Sequence, residues 1–152
     1  MIEDIKPGIP KNSSLTDHSQ VPATVAPVEA TQPPPKKILC IEDEPFIGDL
    51  YKRAFEKAGY IAEVIADGRT GLDKAMSNEF DIILLDIMIP QILGIDVLHE
   101  LRKISTLKAK IIIATNLEQD EETRAKIEKE ADAYIIKAEI TPTELVEFLK
   151  NF

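Results

Sequence analysis

The sequence predicts an α/β fold: a doubly wound, five-stranded parallel sheet with five helices, built as one domain over residues 36–152. Three observations carry that expectation. Short apolar runs alternate with longer stretches of helical period. The runs are rich in isoleucine, leucine and valine throughout, as strands covered on both faces require. Polar residues, several of them acidic, stand directly after the runs, at the sheet edge where doubly wound folds bind their ligands.

Residues 1–35 hold seven of the ten prolines and none of the eight Phe and Tyr residues, so they cannot build a core and are expected to form a disordered tail that includes His18. The first strand is expected at 38–41, with Cys40, the only cysteine, buried in it. A helix follows from Pro45, where a missing amide costs nothing, with apolar residues at 47, 50, 51, 54, 55 and 58 before Gly59. Strands at 61–65 and 82–85 flank the second helix. The third helix, 94–103, has Val97, Leu98 and Leu101 as its apolar stripe, and His99 is expected on its surface without an acidic partner. After a strand at 110–114, the fourth helix, 118–129, offers only Ala125 and Ile127 for burial, so it should be held least firmly. The fifth strand is 133–136. The last helix opens on Thr141, Pro142 and Glu144, a capping-box arrangement, and presents Leu145, Phe148, Leu149 and Phe152 along one stripe.

Composition excludes several function classes. The chain carries a net charge of −9, of which residues 36–152 contribute −7, and this disfavours contacts to a phosphate backbone, so direct nucleic-acid binding is not expected. One cysteine permits neither an internal disulfide nor a cysteine-based zinc site. No apolar run approaches the roughly 20 residues of a membrane-spanning helix. The N-terminus also lacks the basic start and apolar stretch of a secretory signal, so a cytoplasmic location is expected.

Glu42 and Asp43 follow the first strand, Asp86 the third, Thr115 ends the fourth and Lys137 the fifth. Three carboxylates at one rim repel one another unless a hard cation neutralises them, and Mg²⁺ prefers oxygen ligands. A phosphoryl group on Asp86 would need cationic and hydroxyl partners, which Lys137 and Thr115 can supply. Taken singly, Asp43 reads equally well as a helix cap, Asp86 as a turn residue before Pro90, Lys137 as a solvated strand end and Thr115 as a strand residue. Their coincidence at one rim favours the joint reading.

The stretches KILCIEDEP (37–45), DIILLDIMIP (81–90), IIIAT (111–115) and ADAYIIK (131–137) resemble, in residue type, order and spacing, the receiver domains of bacterial two-component response regulators. The resemblance covers about residues 36–152 and implies the flavodoxin-like strand order 2-1-3-4-5, of which receivers are a standard example. It further implies that Asp86 is the phosphoacceptor and that Asp43 binds Mg²⁺ directly, with Glu42 acting through water and the Met88 backbone carbonyl as a further ligand. Lys137 is then the phosphate-binding lysine, and Thr115 with Tyr134 the pair that reorients on phosphorylation, changing the surface of helix four, strand five and helix five. The implied partners are a sensor histidine kinase or phosphotransfer protein and a downstream protein, with phosphorylation-dependent dimerisation as one mode of action. No enzyme activity is implied beyond self-catalysed phosphoryl transfer. No output domain follows helix five in this chain, so a stand-alone receiver acting through a partner is expected.

Three positions depart from the usual pattern: Ala138 in place of a proline, Asn116 in place of a smaller residue, and Glu130 in place of a glycine after helix four. Asn116 is therefore expected to modulate the site, and the Lys137–Ala138 bond to be trans, since a cis bond costs about 2.5–4 kcal/mol without proline. Two other functions fit parts of the pattern. A receiver-like binding module that is never phosphorylated has no need of Asp43, Asp86, Thr115 and Lys137 together. A phosphatase of the haloacid dehalogenase kind needs an acid two residues after its nucleophile, where this chain has Met88.

Overall fold

The computed structural model describes residues 32–152; the expectations for residues 1–31, including His18, lie outside them. Lys37–Ile41 (β1), Ile61–Ile65 (β2), Ile82–Leu85 (β3), Lys110–Thr115 (β4) and Ala133–Ile136 (β5) form one sheet in the order β2-β1-β3-β4-β5, with every neighbouring pair parallel. Pro45–Lys57 (α1), Gly68–Ala75 (α2), Gly94–Arg102 (α3), Glu121–Glu130 (α4) and Pro142–Leu149 (α5) complete the alternation.

The period of two along each strand sorts the apolar side chains into two cores. Leu39, Ile41, Ile83, Leu85, Ile111 and Ile113 face one way, with Leu72 of α2, Val97, Leu98 and Leu101 of α3 and Ile127 of α4 packed among them. Ile38, Cys40, Ile82, Leu84, Ile112 and Ala114 face the other, against Tyr51 and Phe55 of α1 and Leu145, Val146 and Leu149 of α5. Two-sided burial is the reason these strands read as continuous apolar runs. Cys40 is buried as expected. Among the described residues, no helix is long and apolar enough to cross a membrane.

Local chemistry explains where the boundaries fall. Gly59 takes φ +95° just after α1, a left-handed conformation that suits glycine and ends the helix. α4 starts at 121 rather than 118 because the Asp120 side chain accepts the Thr123 N–H (2.9 Å) and caps it there. At its other end Glu130 lies inside the helix and Ala131 is extended, so the chain leaves α4 directly without the left-handed residue that a glycine would supply. Ala125 is exposed, contrary to expectation, which leaves Ile127 as the only buried residue of α4. The capping box of α5 is formed, with Thr141 Oγ1 accepting from the Glu144 N–H and Glu144 Oε2 accepting from the Thr141 N–H. Val146 joins Leu145 and Leu149 in the core, whereas Phe148 and Phe152 are half-buried with ring centroids 5.4 Å apart.

Candidate functional site

The site forms where the strand order reverses. β1 lies between β2 and β3, and the β1–β3 register pairs Ile41 with Leu85, so the next residues, Glu42 and Asp86, leave the sheet side by side. The Asp86 N–H donates to the Ile41 carbonyl (3.1 Å) and the Glu42 N–H to the Ile65 carbonyl (2.9 Å), which fixes both main chains at the rim. Gly94, the first residue of α3, passes so close to this turn that a Cβ there would lie 2.0 Å from the Asp86 carbonyl oxygen.

Ligand atoms from Glu42, Asp43 and Asp86 lie within 4.8 Å of one another. Glu42 and Asp86 are buried and Asp43 is exposed. Lys137, delivered by β5, crosses to them: its Nζ lies 2.5 Å from Glu42 Oε2 and 2.6 Å from Asp86 Oδ2. The other oxygen of each carboxylate is held by backbone, Glu42 Oε1 by the Glu44 N–H (3.1 Å) and Asp86 Oδ1 by the Met88 N–H (3.2 Å). Asp43 does not cap α1, whose N-cap position is Glu44 and is closed by no side chain.

Burial raises the Glu42 carboxyl above its ordinary range, with the hydrogen bond from Lys137 pulling the other way. For Lys137, burial acts against the charged form, but hydrogen bonds to Asp86 and Glu42 outweigh it and hold the ammonium above its usual range. Cys40, two residues before Glu42 on β1, is buried, and burial pushes its thiol up.

Thr115, Asn116, Leu117, Met88, Asp43, Asp86 and Lys137 line one open cleft over the acids. Thr115 is buried, and its Oγ1 accepts the Leu117 N–H (3.1 Å). Tyr134 stands outside this cleft: its hydroxyl donates to the Leu117 carbonyl (3.4 Å), and the Arg124 guanidinium lies 4.8 Å above its ring centroid. The Asn116 Oδ1 accepts the Ala138 N–H at 2.7 Å, so its side chain oxygen is turned to the neighbouring loop. His99 is on the surface but does have an acidic partner, Glu130 Oε1 at 2.9 Å. That contact joins α3 to the end of α4, and sequence spacing carries no sign of it.

The donor set fits a hard divalent cation. All three candidate side-chain ligands are carboxylates, and three carboxylates against one ammonium leave two negative charges unneutralised at this rim.

The family model described as the response regulator receiver domain matches residues 38–150. The chain is 37% identical over 101 residues to the response regulator ArlR of Staphylococcus saprophyticus, an alignment covering 66% of this chain and 45% of that protein. It is 36% identical over 114 residues to the transcriptional activator protein IrlR of Burkholderia pseudomallei, covering 74% of this chain and 47% of that one. The chain thus spans about half the length of these relatives. Among solved structures, a CheY-like response regulator receiver domain protein from Methanospirillum hungatei matches with a TM-score of 0.69 at 32% identity, over 77% of this chain and 92% of that one.

Proposed function

This chain belongs to the response regulator receiver domain family, and from that membership we propose that it is a phosphorylation-activated signalling receiver in which Asp86 accepts the phosphoryl group. The observation that carries the proposal is the setting of the Asp86 carboxylate, buried at the switch point between Lys137 and the Met88 N–H and within reach of Glu42 and Asp43. Residues 36–152 are assigned to the receiver and residues 1–35 to a Pro-rich tail, in a protein of the cytoplasm.

The phosphoryl donor is a histidine kinase or phosphotransfer protein carrying phosphohistidine. An Asp86 carboxylate oxygen attacks phosphorus, the P–N bond to the imidazole breaks, and the product is an acyl phosphate on Asp86 with a free histidine on the donor. Asp43 and Asp86, with Glu42 through water and the Met88 carbonyl, are the groups that would hold Mg²⁺, which when bound would supply positive charge against the repulsion between the carboxylate and the donor. Lys137 is already within hydrogen-bond reach of Asp86 and is the cation available to the phosphoryl oxygens. Thr115 supplies the hydroxyl. Its turn toward the phosphoryl group breaks the tie to the Leu117 N–H, which belongs to the same loop as the carbonyl that Tyr134 holds. The populations of Tyr134 and of the α4–β5–α5 surface shift accordingly, and a downstream protein or a second copy reads that surface.

Incubation with acetyl phosphate and Mg²⁺, followed by intact mass measurement, tests this reading. The expected result is one added phosphate that is absent in Asp86→Asn and absent in EDTA. An adduct that persists in Asp86→Asn places the chemistry elsewhere.

A further inference from the structure

The loops after β4 and β5 carry Thr115 and Lys137, and one hydrogen bond joins them. Asn116 Oδ1 accepts the Ala138 N–H at 2.7 Å, a bond between side chain and backbone across 22 residues. Each partner is the residue directly after a site residue, Asn116 after Thr115 and Ala138 after Lys137. Ala138 sits inside a 3-10 turn, Lys137–Glu139, whose C-terminal closure is a long 3.5 Å contact from the Ile140 N–H to the Lys137 carbonyl. The turn that presents Lys137 thus closes loosely at its C-terminal end and is tied through its middle residue to the neighbouring loop.

We propose that Asn116 is a positioning residue: through the Ala138 amide it holds the backbone of Lys137 so that the ammonium reaches Asp86 and Glu42, and it couples the Lys137 loop to the Thr115 loop. The bond needs an N–H at position 138, which alanine has and proline lacks. It also needs a side-chain acceptor at 116 long enough to cross the gap, which asparagine supplies and alanine or glycine does not. The assignment rests on the phosphoryl-acceptor reading only for its kinetic consequence, since Lys137 is paired with both carboxylates in the resting protein.

Asn116→Ala removes the acceptor and Ala138→Pro the donor, and the pair forms a double-mutant cycle. Each single variant should slow labelling by acetyl phosphate and Mg²⁺ about three- to tenfold, the effect of losing one hydrogen bond. The double variant should be no slower than the worse single. Independently of any phosphodonor, the Ala138 amide should be protected from hydrogen exchange in the unmodified protein and lose that protection in Asn116→Ala. The Lys137 ammonium resonance should change as well. Rates in the double variant that equal the product of the two single effects would overturn the proposal, as would an Ala138 amide that exchanges equally fast with and without Asn116. If the unmodified protein takes up no phosphate at all, the phosphoryl reading fails, and the amide and ammonium spectra still decide whether Asn116 positions Lys137.

Discussion

Lys137 Nζ lies 2.6 Å from Asp86 Oδ2, with both side chains 8% exposed, so a single buried ammonium holds the carboxylate at the centre of the site. The same nitrogen reaches Glu42, whose side chain is 3% exposed. Removing one member of such a cluster leaves the others buried and uncompensated, a change that costs about 3–5 kcal/mol when the survivors stay charged. Lys137→Ala should accordingly lower unfolding free energy by about 3 kcal/mol without Mg²⁺, and added Mg²⁺ should recover part of that loss if the proposed site holds it, since the three carboxylates converge only in the folded chain. Urea denaturation with and without the ion measures both quantities. A loss unaffected by Mg²⁺ would separate the lysine from the cation site.

A second ionic junction lies at the far end of the sheet. Asp132 Oδ2 accepts the Ile111 N–H and an Arg102 Nη2–H, each at 2.8 Å, joining β4, the start of β5 and α3. Burial alone would raise this carboxyl, but Arg102, the Ile111 N–H and Lys110 outweigh it and hold it below its usual range. A depressed carboxyl contributes stability that is present above its unfolded pKa, about 3.9, and lost as pH falls through the lower folded value. Asp132→Ala should cost about 2 kcal/mol at pH 7, chiefly from the stranded Ile111 N–H, and the difference should shrink as pH falls below about 4. An unchanged difference under acid would mean that the carboxylate charge plays no part.

Gly94 provides a steric test. A Cβ there would lie 2.0 Å from the Asp86 carbonyl and 2.7 Å from Ile87 Cα, and both are backbone atoms that cannot rotate aside. Gly94→Ala should therefore destabilise by at least about 1–3 kcal/mol, the usual cost of overpacking, and displace the Asp86 turn. The thermal midpoint, together with the Asp86 and Ile87 amide shifts, checks this. A variant of unaltered midpoint and shifts would show that α3 can back away.

Helix α4 should be the first helix to open. It buries Ile127 alone, whereas α1 buries Gly48, Tyr51 and Phe55, and α5 buries Leu145, Val146 and Leu149. Its ion pairs, Arg124–Glu128 and Glu122–Lys126, are exposed, and such pairs contribute little. Hydrogen exchange of the α4 amides should be at least about tenfold faster than that of α1 and α5, as expected for a segment with few buried apolar contacts. Equal protection in the three helices would remove the proposed mobile element of the switch.

The sheet and the acid cluster were legible in the sequence because both rest on signals that span only a few residues. A strand segment buried on both faces must be apolar throughout, as 38–41, 82–85 and 111–114 are; a ligand edge must place polar groups straight after such strands, and Glu42, Asp43 and Asp86 stand there. The family motifs added strand order, and with it the adjacency of Glu42 and Asp86. Side-chain identity alone could not supply the contacts between elements. The Ala138–Asn116 bond spans 22 residues, the Arg102–Asp132 bond 30, and His99 meets Glu130 only because α3 and α4 cover the same face of the sheet. The late start of α4, the exposure of Ala125 and the burial of Val146 were likewise decided by which cap formed and which helix face met the core. Local composition determined which residues had to be buried and which had to be charged. Register, loop path and helix rotation, each set by packing over the whole domain, determined which of them touch.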